Sequence, residues 1–391
     1  MMAQPVPKKI QKTNPQICNK EFNTLLIDGS NILELSSLGD KTISSNGKQT
    51  GGIFQFLLQI KILLQKGNFR YVYVFWDGEN SGQYRYNLYP LYKANRDKNF
   101  EDETLSDYMK EVNRKVKNMT NYFRKKQDPV KIAERKKQKE IFYWQREVIM
   151  SCLEELCIRQ CIYDKIEADD FISYYVTHKK PNERIVIVSN DRDLTQLISE
   201  QVIIYVQTMK DFITLKNHTD VMGYNYKNVV VKKILCGDDS DNIKGIKGVG
   251  EKTLLTNFGQ LKKREVSLEE IINEAKILNE TRVKNKKKPL KWAENIVNSI
   301  TDGVQGHKIY EINYKIIDLR NPECPMMSKD AKDIIESMMY APMDTEGRSI
   351  QNLYRILDEN GVDELRDPSK FGIFFTEFMY IIDKEKKNSS Y

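Results

Sequence analysis

No stretch of this 391-residue sequence approaches the roughly 18 uninterrupted apolar residues that a membrane-spanning helix needs, so no contact with a membrane is expected. Met1 to Lys20 lack the apolar core of a secretory signal and read as a flexible tail, 1–20, on a cytoplasmic protein. Histidine is scarce. His178, His218 and His307 are the full set, and none has a second His or Cys at ligand spacing, which argues against zinc chemistry. The six cysteines, at 18, 152, 157, 161, 236 and 324, contain no CxxC pair; neither a zinc knuckle nor a disulfide framework is indicated, and buried free thiols are expected. No Ser, Cys or His stands out as a nucleophile, and no internal repeat is evident. Any bound metal must then be held by oxygen.

Hydrophobic residues make up 40% and charged residues 30%, a composition that folds around a core rather than staying disordered. The length suits two or three structural units. The net charge of +7 is mild but unevenly placed: Tyr84 to Arg146 hold 17 Lys/Arg against 9 Asp/Glu, and the rest of the chain carries a net −1. One strongly basic insert implies a polyanionic partner.

Three apolar runs rich in β-branched and aromatic residues read as strands: Thr24 to Ile27, Tyr71 to Trp76 and Arg184 to Val188. Gly52 to Leu64, Cys152 to Cys161 and Ala168 to Val176 follow helical spacing. Strands alternating with helices predict an α/β domain with a largely parallel central sheet. In such sheets ligands bind beyond the carboxyl ends of the strands, so acidic residues emerging there converge on one crevice.

Each predicted strand is followed at once by acid. Asp28 closes Leu25-Leu26-Ile27, and Asp77 closes Phe75-Trp76; either alone is ordinary Asp-Gly turn chemistry. Glu167, Asp169 and Asp170 lead into a helix, three carboxylates in four positions, more than helix-dipole stabilisation asks for. Asp191 and Asp193 follow the third strand, and Asp238 and Asp241 flank a Gly/Asp-rich turn without the ligand ladder of an EF-hand. So much negative charge in one crevice needs divalent cations. All-oxygen ligation points to Mg²⁺, with Mn²⁺ able to substitute. Two such ions suit in-line cleavage of a phosphodiester by an activated water.

In this order the acidic motifs Asp28, Trp76-Asp77, Glu167-Ala168-Asp169-Asp170, Ser189-Asn190-Asp191-Arg192-Asp193 and Gly237-Asp238-Asp239-Ser240-Asp241-Asn242-Ile243 resemble those of the flap endonuclease / 5′ nuclease family, from about Leu25 to Phe258. Ser81-Gly82-Gln83-Tyr84-Arg85, Tyr92-Lys93-Ala94-Asn95-Arg96 and Leu194-Thr195-Gln196-Leu197 add the look of its phage-encoded ribonuclease H branch. The resemblance implies a PIN-like catalytic domain over 21–225 with a helical arch at about 84–146. A helical domain over 226–391 would follow, with a helix-hairpin-helix (H3TH) motif and an extra C-terminal segment. It implies 5′→3′ exonuclease, ribonuclease H-type primer removal and flap endonuclease activity in DNA replication. Asp28, Asp77, Glu167, Asp169 and Asp170 would line a first metal site, and Asp191, Asp193, Asp238 and Asp241 a second.

For substrate binding, Tyr84, Tyr86, Tyr89 and Tyr92 interleave with Arg85, Lys93 and Arg96, a composition suited to stacking bases and pairing phosphates. The resemblance places Arg85, Lys93 and Arg96 near the scissile phosphate, Lys93 and Arg96 with catalytic roles. Gly245, Lys247, Gly248, Gly250 and Lys252 form a glycine hairpin before a helix, where backbone amides approach a phosphate. The implied partners are DNA and RNA–DNA hybrid with 5′ ends, flaps or nicks; a single-stranded-DNA-binding protein or sliding clamp is a further candidate. The chain is expected to be a monomer, in the host cytoplasm if phage-encoded. Two features depart from the family: the insert is long and interrupted by Pro129, and Phe371, Phe374 and Phe375 look like a clamp-binding peptide without its leading Gln, so core packing is expected of them. Rival readings are a catalytically silent, structure-selective DNA-binding scaffold, which gains nothing from gathered carboxylates, and a PIN-type ribonuclease on single-stranded RNA, which leaves the hairpin unexplained.

Overall fold

The computed structural model describes residues 22–93, 129–299, 303–304 and 307–388. The expected tail 1–20 and most of the expected arch, with Arg96, lie outside them.

Six strands form one sheet: β1 (Thr24–Asp28), β2 (Tyr71–Asp77), β3 (Arg159–Tyr163), β4 (Ile185–Val188), β5 (Val202–Val206) and β6 (Asp211–Ile213), in the order β3-β2-β1-β4-β5-β6. All neighbours are parallel except β5 and β6. Both faces are covered, which is why these strands read as unbroken apolar runs. Ile27, Val74, Trp76, Val186 and Val188 face one core; Leu26, Tyr73, Phe75 and Ile187 face the other. The order reverses at β1, so the crevice between the carboxyl ends of β1 and β4 is the topological switch point.

Among the described residues the helices are α1 (Gly29–Gly39), α2 (Gly51–Lys66), α3 (Gln83–Leu88), α4 (Pro129–Glu155), α5 (Ala168–His178), α6 (His218–Met222), α7 (Val229–Cys236), α8 (Glu251–Asn257), α9 (Leu268–Lys284), α10 (Lys291–Asn298), α11 (Ile309–Ile317), α12 (Lys329–Met338), α13 (Ile350–Glu359) and α14 (Pro368–Asn388). Gly29 lets α1 start hard against the sheet: a Cβ there would lie 2.7 Å from both Trp76 and Val74. Pro129 is the first described residue of α4, a position where its missing N–H is tolerated.

Two expectations are corrected. Cys152 to Cys161 is not one helix: α4 ends at Glu155, Cys157 takes a left-handed turn (φ 55), and Arg159–Tyr163 joins the sheet beside β2. Nor do residues 226–391 form one helical domain. A separate core holds residues from Val230 to Ile317, while Leu319 to Ile335 pack with α5 on one sheet face and Leu353 to Ile382 with α2 and α4 on the other. Phe371, Phe374 and Phe375 are buried there, as their core reading required. Arg159 and Glu385 form a buried ion pair, so the end of α14 holds the edge strand β3.

Candidate active site

Asp28 and Asp77 end adjacent parallel strands, in register so that Asp28 pairs with Phe75, two residues before Asp77. Asp28 caps α1 by accepting from the Asn31 amide (3.1 Å), and its other oxygen accepts from Ser189 Oγ (2.8 Å) just past β4. Burial, reinforced by repulsion from Asp77, pushes its pKa up to about 7. Asp77 accepts from the Ala168 amide at the start of α5 (2.8 Å) and is likewise raised, by burial and then by Glu167. Strand ends and a helix start thus meet around one set of acids.

Glu167 and Asp170 make a reciprocal capping box at the head of α5, side chain to backbone amide in both directions. Arg85, on α3, is 2% exposed; it pairs with Glu167, grips both oxygens of Asp170 (3.0 and 2.8 Å) and donates to the Ile316 carbonyl (3.0 Å). Lys93 pairs with Glu167 from the other side. Asp169 Oδ1 is buried with no hydrogen-bond partner among the described residues, while Oδ2 lies 3.8 Å from Arg85. Burial raises the Asp169 pKa well above the carboxylate range, against the pull of Arg85.

A second acidic group stands opposite. Asp191 caps the 3₁₀ turn Arg192–Leu197 by accepting from the Asp193 amide (2.8 Å), and its own amide donates to Ser189 Oγ (3.0 Å). Asp193 and Asp238 share the ammonium of Lys233 from α7. Burial and Asp191 push Asp193 up to about 7. Asp238 goes the other way: against the effect of burial, Lys233 and the Ser240 hydroxyl and amide draw it down to about 2. Asp238 sits in a two-residue ribbon, β7 (Gly237–Asp238) against β8 (Ile243–Lys244), which brings Asp241 back toward the sheet.

Among the described residues, two sets of acids have oxygens all within 4.8 Å of one another: Glu167, Asp169 and Asp170, and Asp193, Asp238 and Asp241. The Tyr92 hydroxyl joins them, 3.3 Å from Glu167 and 3.4 Å from Asp241. Lys93 follows it in a left-handed conformation (φ 51), its amide donating to the Asp241 carbonyl (2.8 Å). Strain of this kind persists only where surroundings enforce it, and here both acidic sets do so.

Compared with the expectation from sequence, the nine acids divide differently. Asp28, Asp77 and Asp191 lie beside the two sets, each held by hydrogen bonds; Glu167 acts on Asp77, Asp77 and Asp191 act on Asp28, and Asp191 acts on Asp193. Asp170 offers an ion only oxygens already gripped by Arg85. Arg85 is not on a phosphate-binding surface, because α3 packs against α11 and buries it. Of the tyrosines, Tyr89 and Tyr92 are buried in the helical core and are not presented to a base, while Tyr84 and Tyr86 are half-buried against neighbouring cores. Gly245 is packed on the Cys236–Gly237 backbone, where a Cβ would meet atoms 2.2 Å away, so its small size serves the ribbon rather than a ligand. Lys247, Gly248, Gly250 and Lys252 are exposed as a hairpin should be. Ser189 and Lys233 were not singled out from sequence; the signal was a hydroxyl within the Asp191 motif and a lysine five residues before Asp238.

Residues 23–229 match the family model described as 5′–3′ exonuclease, N-terminal resolvase-like domain. The chain is 28% identical to a 5′–3′ exonuclease of Mycoplasmopsis pulmonis over 255 residues, 64% of this chain and 72% of that protein. It is 34% identical to the DNA polymerase I of Caldicellulosiruptor bescii over 119 residues, only 14% of the polymerase. Among solved structures it resembles the T5 5′-exonuclease with bound zinc (TM-score 0.54, 17% identity, 81% of this chain and 97% of that one). A bacteriophage T5 flap endonuclease variant in a pseudo-enzyme–product complex with DNA and metal ions gives the same TM-score at 16% identity, over 86% of this chain and 99% of the other.

Proposed function

This chain belongs to the 5′–3′ exonuclease family, and from that premise we propose that it cuts DNA and RNA–DNA hybrid at 5′ ends, nicks and flaps with two Mg²⁺ ions, removing RNA primers during replication. The observation that carries the reading is the pairing of two carboxylate sets about Tyr92, one of them holding the buried, unpartnered Asp169 Oδ1. A buried carboxylate oxygen without a hydrogen-bond partner, beside two other acids, has the surroundings of a cation ligand.

Glu167 and Asp169 would hold one ion and Asp193, Asp238 and Asp241 the other, with Mn²⁺ able to substitute. When bound, such ions polarise the phosphodiester, lower the pKa of water and stabilise the leaving oxygen. The chain's own residues set the stage. Arg85 fixes Glu167 and Asp170 from beneath, so the first set keeps its geometry without an ion. Asp28 and Ser189 tie β1 to the Asp191 turn, which fixes the crevice wall. Lys93, 17% exposed and paired with Glu167, would exchange that carboxylate for the scissile phosphate. Lys233 neutralises Asp193 and Asp238, and would turn from them as an ion takes its place.

A 5′-labelled DNA flap and an RNA-primed nicked duplex, each with Mg²⁺, test the substrate range. Cutting at the branch and stepwise release from the primer's 5′ end are expected; cutting of the DNA flap alone would remove the primer-removal role. Lys93→Ala should lower the rate at saturating substrate by about 10²-fold or more, and an unchanged rate would strike Lys93 from the chemistry.

A further inference from the structure

The loop joining α9 to α10 is unused by the site described above. It carries Arg282, Lys284, Lys286, Lys287, Lys288 and Lys291, with no acidic residue between Glu280 and Glu294. A run of lysines is often no more than a solvated surface, but this one is built. Its amides turn back on α9, Lys286 to the Val283 carbonyl (2.9 Å) and Lys287 to that of Arg282 (2.8 Å), and Arg282 Nε closes the turn on the Lys288 carbonyl (3.0 Å). Asn279 clamps the far side through both the amide and the carbonyl of Leu290 (2.8 and 3.2 Å). Lys286 takes a left-handed conformation (φ 57), and Lys284 to Pro289 are all exposed. The side chains are thus presented outward from a fixed backbone, which lowers the entropy lost on binding.

The loop is also joined to the glycine hairpin. Asn295 on α10 donates to the Lys247 carbonyl (2.7 Å), and Trp292 packs where a Cβ on Gly248 would come within 3.4 Å. Trp292 lies four positions after Lys288, at most about 14 Å of chain away. Duplex DNA carries one negative charge per roughly 1.7 Å of its axis, so a duplex lying on the hairpin passes within reach of the loop.

We infer that the Arg282–Lys291 loop is a second backbone-gripping element, holding the phosphates of the duplex arm next to those engaged by the Gly248 hairpin. The inference rests on the nucleic-acid reading proposed above. An acidic protein would satisfy the charge alone, but the fixed link to the hairpin and the unbroken single sign favour a continuous polyanion.

The test compares wild type with Lys286→Ala/Lys287→Ala/Lys288→Ala, measuring binding of a flap substrate with a long duplex arm in EDTA over a range of NaCl, and cleavage at saturating substrate with Mg²⁺. The variant should bind about 10-fold or more weakly near 150 mM salt. Its plot of log affinity against log salt should be shallower by about 2 to 3, near 0.9 for each phosphate that the missing lysines would have neutralised. Its thermal midpoint and saturated cleavage rate should be unchanged, and the triple Lys→Arg variant should bind as wild type does. If the variant binds with wild-type affinity and slope while wild type binds and cuts DNA, the loop inference fails and the nuclease reading stands. A loss of affinity with an unchanged slope, or one shared by the Lys→Arg variant, also overturns it. If wild type neither binds nor cuts the substrate, the nuclease reading falls and takes the loop inference with it.

Discussion

Arg85 shows how a residue can match a motif and hold a different post. Its position in the sequence suggested phosphate contact, yet its guanidinium lies beneath the acids, paired to Glu167 and Asp170 and bonded to the Ile316 carbonyl. Removing one partner of a buried pair leaves an uncompensated charge and costs about 3–5 kcal/mol. Arg85→Ala should therefore lower unfolding stability by that order in urea titration. Asp191→Asn, at an exposed position, should change stability by less than about 1 kcal/mol while slowing cleavage, because it removes the charge that acts on Asp193, and leaving DNA affinity within a few fold. Equal stability for both variants would contradict the anchoring role of Arg85. The acids themselves were legible in the sequence because each follows a recognisable strand or opens a helix. Their division of labour was not, since it depends on which oxygen meets which amide: Asp28 on Asn31, Asp77 on Ala168, Asp191 on Asp193.

At the scale of elements, the strands with unbroken apolar runs, β1, β2 and β4, could be read directly, and so could α2 and α5. Strand β3 was hidden because Arg159-Gln160-Cys161-Ile162-Tyr163 continues a helical-looking stretch, and only the left-handed turn at Cys157 separates the two. The C-terminal helices were misassigned for a similar reason. Helical periodicity shows that α13 and α14 have an apolar face but not which body it meets. That face meets the sheet domain, where Phe378 is fully buried and Glu385 is paired with Arg159. Phe378→Ala should destabilise by about 3–5 kcal/mol in the same titration, with divalent-ion affinity of the folded protein unchanged. A loss below about 1 kcal/mol would mean that α14 is not integral to the core.

For the whole molecule, the crevice exists because two bodies meet: the sheet supplies Asp28, Asp77, Glu167, Asp169 and Asp191, and the helical body brings Asp238 and Asp241 to it. Charge gathered this way sets a pH dependence. Asp28 and Asp193 titrate near 7 in the folded protein, above the usual carboxylate value of about 4, so between those limits the folded state keeps protons that the unfolded chain has released. Without divalent ions, their contribution to stability therefore falls as pH rises from about 4 to 7. Ions that need the deprotonated acids relieve that cost, so the rise in melting temperature given by saturating Mg²⁺ should be larger at pH 8 than at pH 5.5. A pH-independent increment would show that these acids are not coupled to the ions.

The most direct test of the two-set site is a Mn²⁺ titration followed by the electron paramagnetic resonance signal of free ion, with wild type, Asp169→Asn and Asp193→Asn, alongside cleavage of the flap substrate. The account predicts two equivalents bound by wild type, one by each variant, and cutting by wild type alone. Variants that still bind two ions and cut at the wild-type rate would contradict it.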